Sequence, residues 1–332
     1  MILKGLCLLA ALLALGGCED AKELLGKAKP ASSGAGRPDV APGGDVDPML
    51  DKQVLRDGDG VVFRRDLPFP TRLEVRMKLS VDYENVRLVE VSALGKTTDT
   101  YNHETETEIW CQKNPGIFDF KLEKAARRVV VEGEEATAAV TDLGRGAALE
   151  GQQLRFALSS SGWRSRHDSG AVDFKKAVWA DSLEGKVPQL MVETGAHPRA
   201  QWFSSSRIWR PGDQITLTGN ALKILDPYDV SGKVTLKFEG VEAVSGHPCG
   251  VFAVEGDIRI DNQLQPDGSH HDCDIAVTSG KIWASLLYPV VLREEYETVQ
   301  TLVMREGKKG GPEKRMQGAI VVEKARSWVP GG

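Results

Sequence analysis

Alternation with a period of two residues runs through most of this 332-residue chain and confines it to a β-sheet architecture. Leu73, Val75, Met77, Leu79 and Val81 alternate with Arg72, Glu74, Arg76, Lys78 and Ser80. Successive side chains of a strand point to opposite faces, so this pattern predicts one buried and one wet face. Val234, Leu236 and Phe238 alternate with Lys233, Thr235, Lys237 and Glu239 in the same way. Phe252, Val254, Ile258 and Ile260 share a third such face, with Gly256 as a bulge or a point of close approach.

Between these anchors the chain reads as short strands joined by turns. Tyr83-Glu84-Asn85 is expected to turn, with 86–91 as the returning strand. Residues 98–111 alternate Thr and Glu with little apolar content and predict an edge or solvent-exposed strand. Strands are expected at 118–122, 128–131 and 154–158, and a short helix at 134–143. In the second half, strands at 275–277, 282–288, 297–305 and 316–322 follow a Pro266-Asp267-Gly268-Ser269 turn. Sequential strands with short connections give antiparallel meanders. The fold class is therefore mainly β, one or two curved sheets of half-barrel or sandwich type with few helices. Periodicity fades between 160 and 200, which divides the body into an N-terminal β region at 51–165 and a C-terminal one at 195–330.

The first 50 residues have a different character. Met1 to Lys4 carries one positive charge, Gly5 to Leu15 is apolar, and Gly16-Gly17 precede Cys18. This is the layout of an export signal over 1–17. Glu19 and Asp20 end the apolar run short of the roughly 20 residues a membrane-crossing helix needs. Leu15-Gly16-Gly17-Cys18 resembles the lipobox of bacterial lipoproteins. The resemblance implies removal of the signal, a diacylglycerol thioether on Cys18 and a further acyl chain on the new amino terminus. Two or three chains make a lasting anchor where one does not. Glu19, where Asp would favour retention in the inner membrane, points to the outer membrane of the cell envelope. Residues 30–48, rich in Gly, Pro, Ala, Ser and Asp, cannot bury enough apolar surface to offset their ordering entropy. The stretch 18–50 thus reads as lipid anchor and flexible tether.

Loss of 1–17 removes one cation, Lys4, and leaves 41 basic against 47 acidic residues, a net charge of −6. Nucleic-acid binding needs clustered Lys and Arg, and Arg64-Arg65 and Arg127-Arg128 are isolated pairs. The partners expected are the membrane, through Cys18, and an apolar ligand or an envelope protein.

Motifs for chemistry are sparse. There is no His-Glu-x-x-His, no Gly-x-Ser-x-Gly and no complete phosphate loop; Gly95-Lys96-Thr97 has only the tail of one. Asp57-Gly58-Asp59-Gly60 lacks the later acidic ligand of a calcium loop and reads as a turn. His247-Pro248-Cys249 and His271-Asp272-Cys273 are the most suggestive set, since each His/Cys couple shares a strand face and two couples make a tetrahedral zinc set. With a tight turn at 266–269, however, Cys273 is expected opposite Asn262 and about 40 Å from Cys249 along the hairpin. No metal site and no cofactor is therefore expected. Cys111, Cys249 and Cys273 allow at most one internal disulfide, with its pairing open. Ser204-Ser205-Ser206, His197 and Asp213 have the residue types of a hydrolase triad without its elbow. Trp202 and Trp209 are expected in the core.

Residues 207–254 resemble an uncharacterised group of exported bacterial β proteins. The likeness lies in Arg207 to Asp213, the strand end Lys237 to Glu242 and the Gly246 to Gly250 segment. It implies no activity. The meander is also similar in outline to the half-barrels of lipoprotein carriers. The expected function is non-enzymatic binding of an apolar ligand or partner; the alternative is a hydrolase whose site is assembled from scattered residues.

Overall fold

The computed structural model describes residues 44–92, 95–131, 134–139, 151, 153–166, 183–225, 230–264, 270–305 and 313–330. The signal, Cys18, most of the tether and the 266–269 turn lie outside them. The described chain begins on a helical turn, α1 (Pro48–Asp51), capped by the Asp47 carboxylate, which accepts from Met49 N at 2.7 Å. Asp47 N also donates to Gly246 O at 2.8 Å, so the end of the expected tether docks on the body. A small hairpin follows, β1 (Leu55–Asp57) and β2 (Gly60–Val62), turning at Gly58 with φ 61°.

The rest is one open antiparallel sheet of twelve strands. Its N-terminal half comprises β3 (Leu73–Ser92), β4 (Gly95–Asn114), β5 (Ile117–Val131), β6 (Glu134–Ala139), β7 (Gln153–Ser159) and β8 (Gly162–Arg166). Its C-terminal half comprises β9 (Gln214–Thr218), β10 (Ser231–Val244), β11 (His247–Leu264), β12 (His270–Ser285), β13 (Val291–Arg305) and β14 (Glu313–Pro330). The order across the sheet is β8-β7-β5-β4-β3-β14-β13-β12-β11-β10-β9, and β6 pairs with β5 beside β7. Two meanders are joined where the first strand of one, β3, pairs with the last strand of the other, β14, from Leu73–Pro330 to Val91–Glu313. The two β regions thus share one sheet, and the large sheet has no facing partner sheet among the described residues.

Several local expectations change. Tyr83-Glu84-Asn85 does not turn: β3 runs through it as a bulge, with Asn85 at φ 51° and the register shifting between Tyr83 and Val86 on the β4 side. A strand of 20 residues results, roughly 65 Å of chain. The expected strands at 118–122 and 128–131 are likewise the single strand β5. The Thr/Glu segment is no edge strand; as β4 it lies between β3 and β5, with Thr105 and Thr107 buried and Glu104, Glu106 and Glu108 on the other face. Threonine is β-branched and small, and its hydroxyl can be satisfied by backbone, as Thr105 Oγ1 does on Val81 O. Residues 134–139 form a strand instead of the expected helix, because Val129 to Val131 offer a paired edge. Gly256 is both bulge and close approach: φ is 138°, and a Cβ there would lie 2.3 Å from Lys233 O.

One face, here called inner, carries the core. Leu73, Val75, Met77, Leu79 and Val81 of β3 and Ile320, Val322 and Trp328 of β14 all point into it. The segment 183–213 crosses this face from one sheet edge to the other. Glu184 takes hold of β8, accepting from Ser165 N at 2.7 Å and pairing with Arg164 at 2.8 Å. The helix α2 (Val187–Thr194) then starts with Pro188 in its first turn and ends at Gly195, φ 82°, a left-handed C-cap. Beyond it, Trp202, Phe203 and Trp209 join Phe63, Phe238 and Phe252 in an aromatic cluster; Phe203 stacks on Phe252 at 4.8 Å between centroids. The segment enters β9 at the far edge. It forms a strap.

Candidate functional site

The strap is fastened at its middle by charges that the core fully encloses. Inner-face positions of β14 run Ile320, Val322, Lys324, Arg326, Trp328, and those of β13 include Glu294. Lys324 Nζ lies 3.2 Å from Glu193 Oε2 of α2 and 3.2 Å from Glu294 Oε2. Arg326 donates from Nε to Glu193 O and from Nη1 to Val291 O, each at 2.9 Å. Arg199, from the strap, pairs with Glu294 Oε1 at 3.1 Å and donates to the carbonyls of Ile224 and Leu225. Trp328 Nε1 adds a bond to Gly195 O at 3.0 Å. All five charged side chains are no more than 5% exposed.

Their electrostatics are mutual. Burial pushes the Glu294 carboxyl up, but Lys324, Arg326 and Arg199 outweigh it and hold its pKa at about 2. Burial lowers Lys324, and Glu193 and Glu294 more than restore it, so its ammonium form is favoured. Three cations face two carboxylates here, and Glu193 Oε1 and Arg326 Nη2 lack a hydrogen-bond partner among the described residues. Sequence reading missed this cluster. Its signal was present: Lys324 and Arg326 occupy apolar-phase positions between Val322 and Trp328.

The His/Cys set does not converge. His247 and Cys249 begin β11, where Cys249 pairs with Ser285, whereas His271 and Cys273 begin β12, near the other end of that hairpin. Cys273 faces Ile260 and not Asn262: Leu264 pairs with His270, already one residue off the register of a tight 266–269 turn, and β11 holds one further residue between Ile260 and Gln263. Cys111, Cys249 and Cys273 are buried thiols, and burial raises Cys111 to about 12 and Cys249 also upward. Such thiols are poor nucleophiles.

His247 has instead a serine for a partner. Its Nε2 lies 2.7 Å from Ser285 Oγ. Ser285 Oγ already accepts from Leu287 N at 3.1 Å and Tyr288 N at 3.0 Å, so its single proton goes to the imidazole. Nδ1 then carries the ring proton. Burial lowers the His247 pKa to about 4, which keeps the ring neutral. The pair has the donor direction of a nucleophile and its base, but both lone pairs of the hydroxyl are engaged and Ser285 is 0% exposed. It braces the 285–290 turn.

The other candidates stand apart. Ser204 bonds Ser206, Asp213 caps Arg210 N at 2.9 Å, and His197 Nδ1 faces its neighbour's carbonyl, Pro198 O, at 3.0 Å. Asp57 and Asp59 both hold Arg210, at 3.0 and 3.3 Å. Trp202 and Trp209 are buried in the aromatic cluster. No group of three or more metal-ligating side chains occurs among the described residues.

No family profile matches the chain. No curated protein matches it in sequence. Among solved structures it is similar to a domain from Vibrio parahaemolyticus assigned to outer membrane lipoprotein sorting, 9% identical over 72% of this chain and 83% of that one at a TM-score of 0.14. A DUF1329 family protein from Desulfovibrio piger is 10% identical over 78% and 84%, at 0.12. The botulinum neurotoxin serotype C1 binding domain is 8% identical over 79% and 84%, also at 0.12. Scores of this size carry no argument about function.

Proposed function

We propose that the chain is the precursor of a lipoprotein of the bacterial envelope, anchored through Cys18, more readily to the outer than the inner membrane. Its β body binds an apolar ligand or an envelope protein and catalyses nothing. Residues 1–17 are the signal, and the stretch after Cys18 gives the body reach.

The observation that carries the binding reading is the strap. The strap is joined on the inner face by Phe63, stacked on Phe252, and by Phe69 and Tyr288 against Trp328. Past the strap, the inner face continues toward the 92–95 and 264–270 connections as buried apolar side chains: Ile258 and Ile275, Leu302 and Cys273, Ile320 and Tyr83, each pair facing across strands and each residue at most 5% exposed. A segment pinned by a few charged contacts over a long apolar sheet face supports a body that holds an apolar ligand or a partner beneath it. Native mass spectrometry of the protein after gentle extraction is expected to show a stoichiometric co-purified lipid or partner. A bare chain that also fails to take up an apolar dye would overturn the reading.

A further inference from the structure

The face of the sheet turned away from the core carries an open groove of about 370 Å³ beside the 92–95 connection, lined by Arg87, Val89, Lys96, Glu313, Arg315 and Gln317. A bulge puts the first of these cations there. Inner positions of β3 run Leu73, Val75, Met77, Leu79, Val81 and Tyr83, and then Val86. Glu84 and Asn85 oppose the single residue Asn102 of β4, and the extra residue reverses the phase of the strand. Arg87, which unbroken alternation would send into the core, is exposed on the outer face instead.

Register then gathers the charges. Arg87 pairs with Gln317 of β14 and Val89 with Arg315; on its other side Val89 faces Thr98 of β4, with Lys96 two residues along. Arg87 and Arg315 are thus diagonal neighbours, with Cβ atoms about 7–8 Å apart. Arg87, Lys96 and Arg315 are exposed, and none of the three has an ion-pair partner among the described residues. Glu313, the one acid in the lining, is engaged by Arg305 at 3.6 Å. Elsewhere on this face cations meet carboxylates: Arg76 lies 3.3 Å from Glu123, Lys78 3.4 Å from Glu108 and Lys124 2.5 Å from Glu106. The chain as a whole is acidic, so this local excess of cations runs against its composition.

We propose that the groove binds a phosphate-bearing anion. Like charges set side by side repel, and a bound anion relieves that cost. The planar forks of Arg87 and Arg315 suit phosphate oxygens, Lys96 supplies a point charge, and the Gln317 amide adds a donor. Val89 sits among them as an apolar floor. Small-molecule sites run from about 300 to 1,000 Å³, so the groove has room for more than a lone phosphate. Its chemistry is shared by free phosphorylated compounds and phospholipid head groups. Groove and core lie on opposite faces of the sheet, so the inference stands apart from the apolar-ligand reading.

The test uses the chain from residue 18 with Cys18→Ser, so that no acyl group ties it to a membrane. Inorganic pyrophosphate, titrated calorimetrically at low salt, is the free probe. Sedimentation with phosphatidylcholine vesicles, with and without phosphatidylglycerol, probes the head group. Binding is expected to at least one anionic probe and not to phosphatidylcholine alone. Arg87→Gln and Arg315→Gln should each weaken it about tenfold, the weight of a charge-assisted hydrogen bond. Arg76→Gln, at an exposed cation of the same face that Glu123 neutralises, should leave it unchanged. All three positions are exposed, so the variants keep the fold. Binding of pyrophosphate alone assigns the groove to a free compound, binding of vesicles alone to a lipid head group, and binding of both to the phosphate itself. Binding of neither, or binding that Arg315→Gln weakens no more than Arg76→Gln does, would overturn the proposal.

Discussion

Lys324 of β14 and Glu193 of α2, 131 residues apart in sequence, meet 3.2 Å apart under the strap, both almost wholly buried. Glu294 shares the same ammonium and also faces both Arg199 and Arg326. Buried ion pairs add little net stability over apolar residues, but removing one partner strands the others. Glu294→Gln should therefore cost about 3–5 kcal/mol in urea unfolding, since three cations would be left facing one carboxylate. A loss below about 1 kcal/mol would mean that water reaches the cluster.

Glu294 also sets an acid limit. Its folded pKa, about 2, lies below the ordinary 4.5. A depressed carboxylate contributes stability that is complete above its unfolded pKa and lost as pH falls through the folded one. About 3 kcal/mol should thus disappear between pH 4.5 and 2. The unfolding midpoint of the unsubstituted chain should fall across that interval more steeply than that of Glu294→Gln.

His247 acts at milder acidity. Its pKa drops from 6.5 to about 4 because the neutral ring is buried against Ser285, Tyr288 and Trp328. The unfolded chain takes the proton first, so stability is full above pH 6.5 and falls by about 3 kcal/mol on reaching pH 4. His247→Asn should start lower at pH 7 and lose much less over the same window. Parallel pH curves for the two proteins would show that another group is titrating.

The sheet was legible where one face is apolar and the other charged, as at 73–81 and 233–239. It was misread where that contrast weakens. Thr105 and Thr107 face inward although polar, so β4 looked wet on both sides. Asn85 looked like a turn because its residue type tolerates positive φ, which a bulge also requires. The pairing of β3 with β14 brings together segments more than 200 residues apart, and no local pattern encodes such a choice. The charged cluster was hidden for a related reason: Lys324 and Arg326 become informative only once their strand phase and the strap opposite them are known.

Gly256 was readable and makes a sharp test. Its φ of 138° is strained for any side chain, and a Cβ would sit 2.3 Å from Lys233 O and 2.8 Å from Val234 Cα, backbone that cannot move aside. Gly256→Ala should destabilise by about 3 kcal/mol or more. Gly185→Ala, at a glycine with ordinary φ and nothing within 4 Å, is the matched control and should stay within about 0.5 kcal/mol. Similar effects at both sites would show that β10 and β11 do not approach as described.

The anchor can be tested apart from the fold. The thiol of Cys18 is the proposed acceptor of the diacylglycerol group, and it stands directly after Gly16-Gly17 at the end of an apolar run. Cells fed a labelled fatty acid should mark the unsubstituted protein and not Cys18→Ser, which should accumulate as an uncleaved precursor or leave the membrane fraction. Cys18 lies 26 residues before the first described position, so the substitution should leave the cooperative unfolding of the released body unchanged. Equal labelling of the two proteins would remove the lipid from Cys18, and with it the reason to place the body at a membrane surface. A changed unfolding transition would show instead that residues near the anchor pack on the sheet, as Asp47 does on Gly246.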